Sequence, residues 1–110
     1  MYDKYPMLKK LLQALEDIQA IDVTVIDVSQ HTTITDFMVI CSGRSSRHVK
    51  AIAEYIMEQM KTTELPALGN NGLAGGDWAL VDFGDVVVHV MQPESRAFYN
   101  LEGLWQNPPQ

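Results

Sequence analysis

Asp77-Trp78-Ala79-Leu80-Val81-Asp82-Phe83 and Val86-Val87-Val88-His89-Val90-Met91 are two runs of strand-favouring residues, separated only by Gly84-Asp85. A Gly-Asp pair between β-rich runs predicts a tight hairpin, because glycine adopts the positive φ that such turns demand. With Gly84-Asp85 as the loop, register follows by counting: Phe83 opposes Val86, Val81 opposes Val88 and Ala79 opposes Val90. Alternate side chains of a strand point to opposite sides, so these residues make one wholly apolar face. The other face pairs Asp82 with Val87, Leu80 with His89 and Trp78 with Met91. The apolar face suits burial under helices, and the mixed face is expected to be only partly covered. Aromatic and Met side chains left exposed inside an acidic rim are what a protein-binding patch requires: rigid anchors supply desolvated area and the rim selects a complementary charge. A third helix lying over this face, with Trp78 in the core, would be written in the same residues, and the pattern leaves both readings open.

Upstream, Leu8, Leu11, Leu12, Leu15 and Ile18 recur at helical spacing and predict an amphipathic helix over 7–20, after Pro6. Asp22 to Val28 then switches to β-branched strand chemistry. The polar stretch 29–33 reads as a turn. Asp36 to Ser42 is a second strand, antiparallel to the first and buried on both faces because its apolar run is continuous. Gly43 ends it, and Ser45 or Ser46 caps a second helix whose stripe is Val49, Ile52, Ala53, Ile56 and Met60. Residues 64–76 are loop-rich, with a short edge strand placed at Ala67-Leu68. Pro93-Glu94 opens a last helix with Ala97, Leu101 and Leu104 as its inner face and Tyr99 and Trp105 as packing residues. Residues 106–110 read as a frayed tail. The predicted fold class is α/β, in the order α-β-β-α-(β)-β-β-α.

A chain of 110 residues, 46% hydrophobic and 20% charged, has room for one core, so residues 1–110 are expected to form a single domain ordered over about 7–105. Its longest apolar runs fall far short of the roughly 20 residues that cross a bilayer. The N-terminus lacks the basic-then-apolar pattern of a secretory signal, so a cytoplasmic, membrane-free protein is expected. The single cysteine, Cys41, sits in an apolar run and reads as a buried thiol in a reducing compartment. His31, His48 and His89 have neither Cys partners nor helical ligand spacing, so no metal and no other cofactor is expected.

The formal charge of −6 is uneven: residues 64–110 carry Arg96 against six acids and stand at −5. That field repels phosphate backbones and favours a basic partner. A small basic cluster, Arg44, Arg47, His48 and Lys50, opens the second helix; a solvated face, with Lys50 helped by Glu54, is the favoured reading, and contact with RNA phosphates or a dimer mate is the alternative. The turn Cys41-Ser42-Gly43-Arg44-Ser45-Ser46 resembles a phosphate-binding strand-to-helix junction. Metal-dependent nucleotidyl transfer, however, needs carboxylates alternating on one strand, and no Asp-x-Asp or Glu-x-Asp pair occurs. A catalytic reading is therefore set aside, with no catalytic residue assigned.

The segments Thr35–Gly43, Ser45-Ser46-Arg47-His48-Val49, Asp77-Trp78, Val81–Met91 and Arg96–Trp105 together resemble the ribosomal silencing factor RsfS, or iojap, family. The resemblance runs from about Leu8 to Trp105, with several motifs in order and at matching spacing. It implies a mixed sheet with flanking helices, nucleotidyltransferase-like but non-catalytic, and a homodimer when free. It further implies binding to the large-subunit ribosomal protein uL-fourteen, so that subunit joining is blocked and translation is repressed in starvation or stationary phase. A part in large-subunit assembly, with contact to ribosomal RNA, is the alternative. By position the partner-binding residues are Trp78, Leu80, Asp82, Val87, His89 and Met91, with Arg44, Arg47, His48 and Tyr99 as secondary contacts.

Overall fold

The computed structural model describes residues 4–106, with side chains described from Pro6 to Leu104. The tail at 107–110 and the packing role expected of the Trp105 side chain lie outside the described residues.

Helix α1 (Lys4–Asp17) buries Leu8, Leu11 and Leu15 of the expected stripe together with Ala14, while Leu12 and Ile18 are only partly buried against the same core. It begins before Pro6 and stops short of residue 20, because Gln19 takes a left-handed φ of 61°. The Ala20 N–H then donates to the Leu15 carbonyl and the Gln19 N–H to that of Glu16, both at 2.9 Å. This closing pattern usually recruits glycine, so a Gln there gave no stop signal.

Strand β1 (Ile21–Asp27) pairs antiparallel with β2 (Phe37–Ser42), Val25 opposite Val39 and Ile26 opposite Met38. Every β2 residue is buried, as its continuous apolar run implied. Ser45 caps α2 (Ser46–Met60), its hydroxyl accepting from the His48 N–H at 3.1 Å, and Val49, Ile52, Ala53, Ile56 and Met60 are buried.

The hairpin of β4 (Trp78–Asp82) and β5 (Val86–Met91) has the register obtained by counting. Gly84 sits at φ +87°, the left-handed conformation the turn needs. The third strand is displaced: β3 is Gly69–Asn71, beyond the expected Ala67-Leu68. Its three residues are all exposed, so β4's outer backbone edge places it and hydrophobicity does not; the Leu68 N–H opens that pairing by donating to the Asp82 carbonyl at 2.7 Å.

The sheet runs β1-β2-β5-β4-β3, with β2 and β5 parallel at its centre and the other neighbours antiparallel. One side packs on α1 and α2 through a cluster that includes Val39, Cys41, Ile52, Ile56, Val81, Val88 and Val90. The other carries a smaller cluster, Ile26, Val28, Met38, Ile40 and Met91, against which Trp78 and Leu101 pack.

The single last helix is corrected. Asn100 at φ 48° splits it into α3 (Pro93–Tyr99) and α4 (Leu101–Gln106). That break takes the expected inner face out of phase: Ala97 is exposed, Leu104 is 50% exposed, and only Leu101 reaches the sheet. Among the described residues no helix is long and apolar enough to cross a membrane.

Candidate docking face on the β4–β5 hairpin

Strand alternation sends Trp78, Leu80, Asp82, Val87, His89 and Met91 to the same side of the hairpin, away from α1 and α2. The face is not uniformly open. Met91 is fully buried in the smaller cluster and His89 is 7% exposed, so the expectation of an exposed Met and His is corrected. Trp78, Leu80, Asp82 and Val87 remain half-buried. Beside Trp78 and Leu80 a shallow hollow of about 340 Å³ is completed by Asn71 and Gly72.

His89 lies beneath the indole. The Trp78 Nε1–H donates to His89 Nδ1 at 2.9 Å, with ring centroids 5.8 Å apart. A ring nitrogen that accepts is unprotonated, so the imidazole is neutral with its proton on Nε2. Burial acts in the same direction and lowers the His89 pKa to about 4. His89 therefore fixes the Trp78 ring instead of facing a partner.

Tyr99 stacks on the indole from α3, 4.7 Å between centroids at 45°, and Phe98 meets Tyr99 edge-on at 5.1 Å. Tyr99 is 53% exposed and Phe98 81%, so the packing role expected of Tyr99 is only half met and Phe98 is an exposed aromatic that the sequence reading missed. A helix continuous past Asn100 would set Ala97, Leu101 and Leu104 on one inner face and leave this aromatic pair unmarked. A short helix between Pro93 and Asn100 would have shown that the two adjacent aromatics cannot both face inward.

Asp82 has two duties: its Oδ1 accepts from the Gly84 N–H at 2.7 Å, bracing the turn, and its charge sits at the edge of the apolar strip. Arg96, noted in the sequence only as the lone base of the acidic half, proves to be a junction. Its Nε donates to Glu102 Oε1 at 2.6 Å, Nη1 to Ser42 Oγ at 3.0 Å and Nη2 to Thr24 Oγ1 at 3.2 Å. The hydrogen bond from Arg96 holds the Glu102 carboxyl below the ordinary carboxylate range.

Arg47 and His48 lie in the first turn of α2 and Arg44 just before its Ser45 cap; α2 packs on the opposite side of the sheet, so the structure does not join them to the hairpin strip. Arg44 and Arg47 are exposed. His48 is committed internally: Nδ1 accepts from the Arg44 N–H at 2.9 Å and Nε2 lies 3.0 Å from the Ile18 carbonyl, tying the end of α1 to the start of α2. Its assignment as an outward contact is corrected accordingly. Cys41 is buried as expected, and that burial pushes its thiol up to about 12. Among the described residues no group of three or more His, Cys, Asp or Glu could hold a metal ion.

A family model described as ribosomal silencing factor during starvation, RsfS, matches residues 2–110. The chain belongs to the RsfS family. A ribosomal silencing factor RsfS of Zymomonas mobilis is 39% identical over 104 residues, covering 94% of this chain and 78% of its own. A mouse protein named for mitochondrial assembly of the ribosomal large subunit is 39% identical over 98 residues, covering 86% of this chain and 43% of its own. A crystal structure of a Chromobacterium violaceum protein superposes with a TM-score of 0.92 at 37% identity, covering 99% of this chain and 91% of the other. The family and these bacterial relatives carry the name of a ribosomal silencing factor and not that of an enzyme.

Proposed function

We propose that the chain silences translation by occupancy: it docks on the large ribosomal subunit through protein uL-fourteen and thereby keeps the small subunit from joining. The observation that carries this reading is the half-buried strip Trp78, Leu80, Asp82 and Val87, left open beside a sheet face otherwise closed by the smaller core cluster and Leu101. Ribosomal proteins are basic because they neutralise RNA, so the acid at the edge of an apolar strip matches such a partner. Steric exclusion needs no chemistry, only an affinity that competes with joining, which a standard-sized interface with one or two aromatic anchors supplies. In this reading the whole chain acts as one cytoplasmic domain, pairs as a homodimer when free, and uses Arg44 and Arg47 for secondary contact with ribosomal RNA.

Leu80→Glu is the discriminating variant, because Leu80 makes neither the turn brace of Asp82 nor the His89 bond of Trp78. It is expected to lower affinity for purified large subunits by roughly thirtyfold or more, as loss of a central anchor worth about 2 kcal/mol does. It should also restore subunit joining in a sedimentation assay while the melting temperature stays near that of the parent. Parent-like binding by Leu80→Glu would remove the strip from the interface. The name of the mouse relative, for mitochondrial assembly of the ribosomal large subunit, favours a second reading, large-subunit assembly through the same face. That reading requires precursor particles to accumulate in growing cells lacking the protein, whereas silencing alone leaves mature subunits that join too readily.

A further inference from the structure

Helix α3 has no buried side chain of its own, yet it carries Tyr99, whose ring lies on Trp78. Apolar packing therefore does not explain what holds this seven-residue helix in place. The polar anchor is Arg96, three residues before Tyr99 and on the same side of the helix. Its side chain is only 12% exposed, and its guanidinium reaches three other elements: Thr24 on β1, Ser42 on β2 and Glu102 on α4. The Glu102 contact closes across the left-handed Asn100, so the two short helices are fastened to each other and to the sheet by one planar group.

We propose that Arg96 is a positioning residue of the docking face: its fork onto Thr24, Ser42 and Glu102 sets Tyr99 against Trp78 and so holds the indole ready for the partner. This rests on the proposed docking through Trp78 and Leu80, and it assigns Arg96 no contact with the partner. The indole is then fixed from two directions, by His89 through Nε1 and by Tyr99 through its face. An anchor already ordered in the free protein loses less freedom on binding, which is how a residue that touches nothing across an interface strengthens it. Lysine cannot substitute, because a single ammonium cannot present a planar fork to three partners.

The test is a double-mutant cycle in the 110-residue chain carrying Trp105→Phe, which leaves Trp78 as the sole tryptophan of that sequence. Affinity for purified large subunits and the near-ultraviolet circular dichroism of Trp78 are measured for Arg96→Ala, Arg96→Lys, Tyr99→Ala and the Arg96→Ala/Tyr99→Ala pair. Arg96→Ala is expected to lose the Trp78 band and to bind roughly tenfold to a hundredfold more weakly, the range for a lost charged hydrogen-bond set. Arg96→Lys should recover little of either. In the Tyr99→Ala background, removing Arg96 should add almost nothing, because Arg96 acts through Tyr99. Additive losses, or an Arg96→Ala protein with parent-like spectrum and affinity, overturn the proposal. Should Arg96→Ala not fold, Glu102→Gln, which keeps the shape and removes one anchor's charge, replaces it in the same cycle and is read by the same outcomes. Leu80→Glu separates the two failures: if it binds as the parent does, the docking site is wrong, and if it loses binding while the Arg96 cycle is flat, only the positioning role is wrong.

Discussion

His89 sets a pH dependence that its position alone would not suggest. Its folded pKa is about 4, below the 6.5 of an exposed imidazole, so the unfolded chain binds more protons between those values. The contribution is intact above about pH 6.5 and is lost as the pH falls through the folded value, reaching about 3 kcal/mol of destabilisation by pH 4. His89→Gln keeps an acceptor for the Trp78 indole and does not titrate. Urea unfolding at pH 7, 5 and 4 should therefore show the parent losing more stability than the variant, and parallel loss in both would exclude His89 as the source. Much of this site was legible: alternation put Trp78 and His89 on one side, and the two-residue loop fixed their register. The bond between them was not. Trp78 faces Met91 directly and reaches His89 along the diagonal, a contact that only a long ring makes and that counting opposite pairs does not reveal.

Elements were read well where the chain signals their ends and poorly where an uncommon residue does the ending. Helix α2 has a Ser45 cap and an unbroken stripe, and the hairpin has a glycine at its one positive-φ turn position, so both matched expectation. The end of α1 and the break between α3 and α4 depend on left-handed Gln19 and Asn100, residues that also sit comfortably inside helices on paper. Asparagine tolerates this conformation, and its Oδ1 also accepts from the Gly103 N–H at 3.3 Å, capping α4. The break makes a prediction opposite in sign to a continuous helix. Asn100→Ala would stabilise a helix interior, where alanine is the better former. In the split helix it should cost about 1–2 kcal/mol, the penalty for a left-handed L-residue with a Cβ, whereas Asn100→Gly should stay within about 0.5 kcal/mol of the parent. Chemical denaturation of the two variants reads the sign directly, and a more stable Asn100→Ala protein would exclude the break.

Across the whole molecule, charge and shape would divide the work of the proposed docking. In the proposed docking, the −5 of residues 64–110 falls on the half of the chain that also supplies the hairpin, so the charge that would attract a basic partner and the strip offered to it come from one segment. Long-range attraction acts before contact and is screened over about 8 Å at physiological salt, so in that docking it would govern encounter, while the apolar strip of Trp78, Leu80 and Val87 would govern residence. Asp82 lies at the boundary between these roles and allows them to be separated. Asp82→Asn removes the charge and keeps the oxygen that accepts from the Gly84 N–H, so the turn and the register behind it are left in place. Stopped-flow association with large subunits should then show an on-rate lower by about twofold to fivefold at low salt, a weaker dependence on ionic strength, and an unchanged off-rate. A change confined to the off-rate would place the Asp82 carboxylate in direct contact with the partner. The division would then fail at that residue, because attraction at a distance leaves dissociation largely alone whereas a broken contact does not.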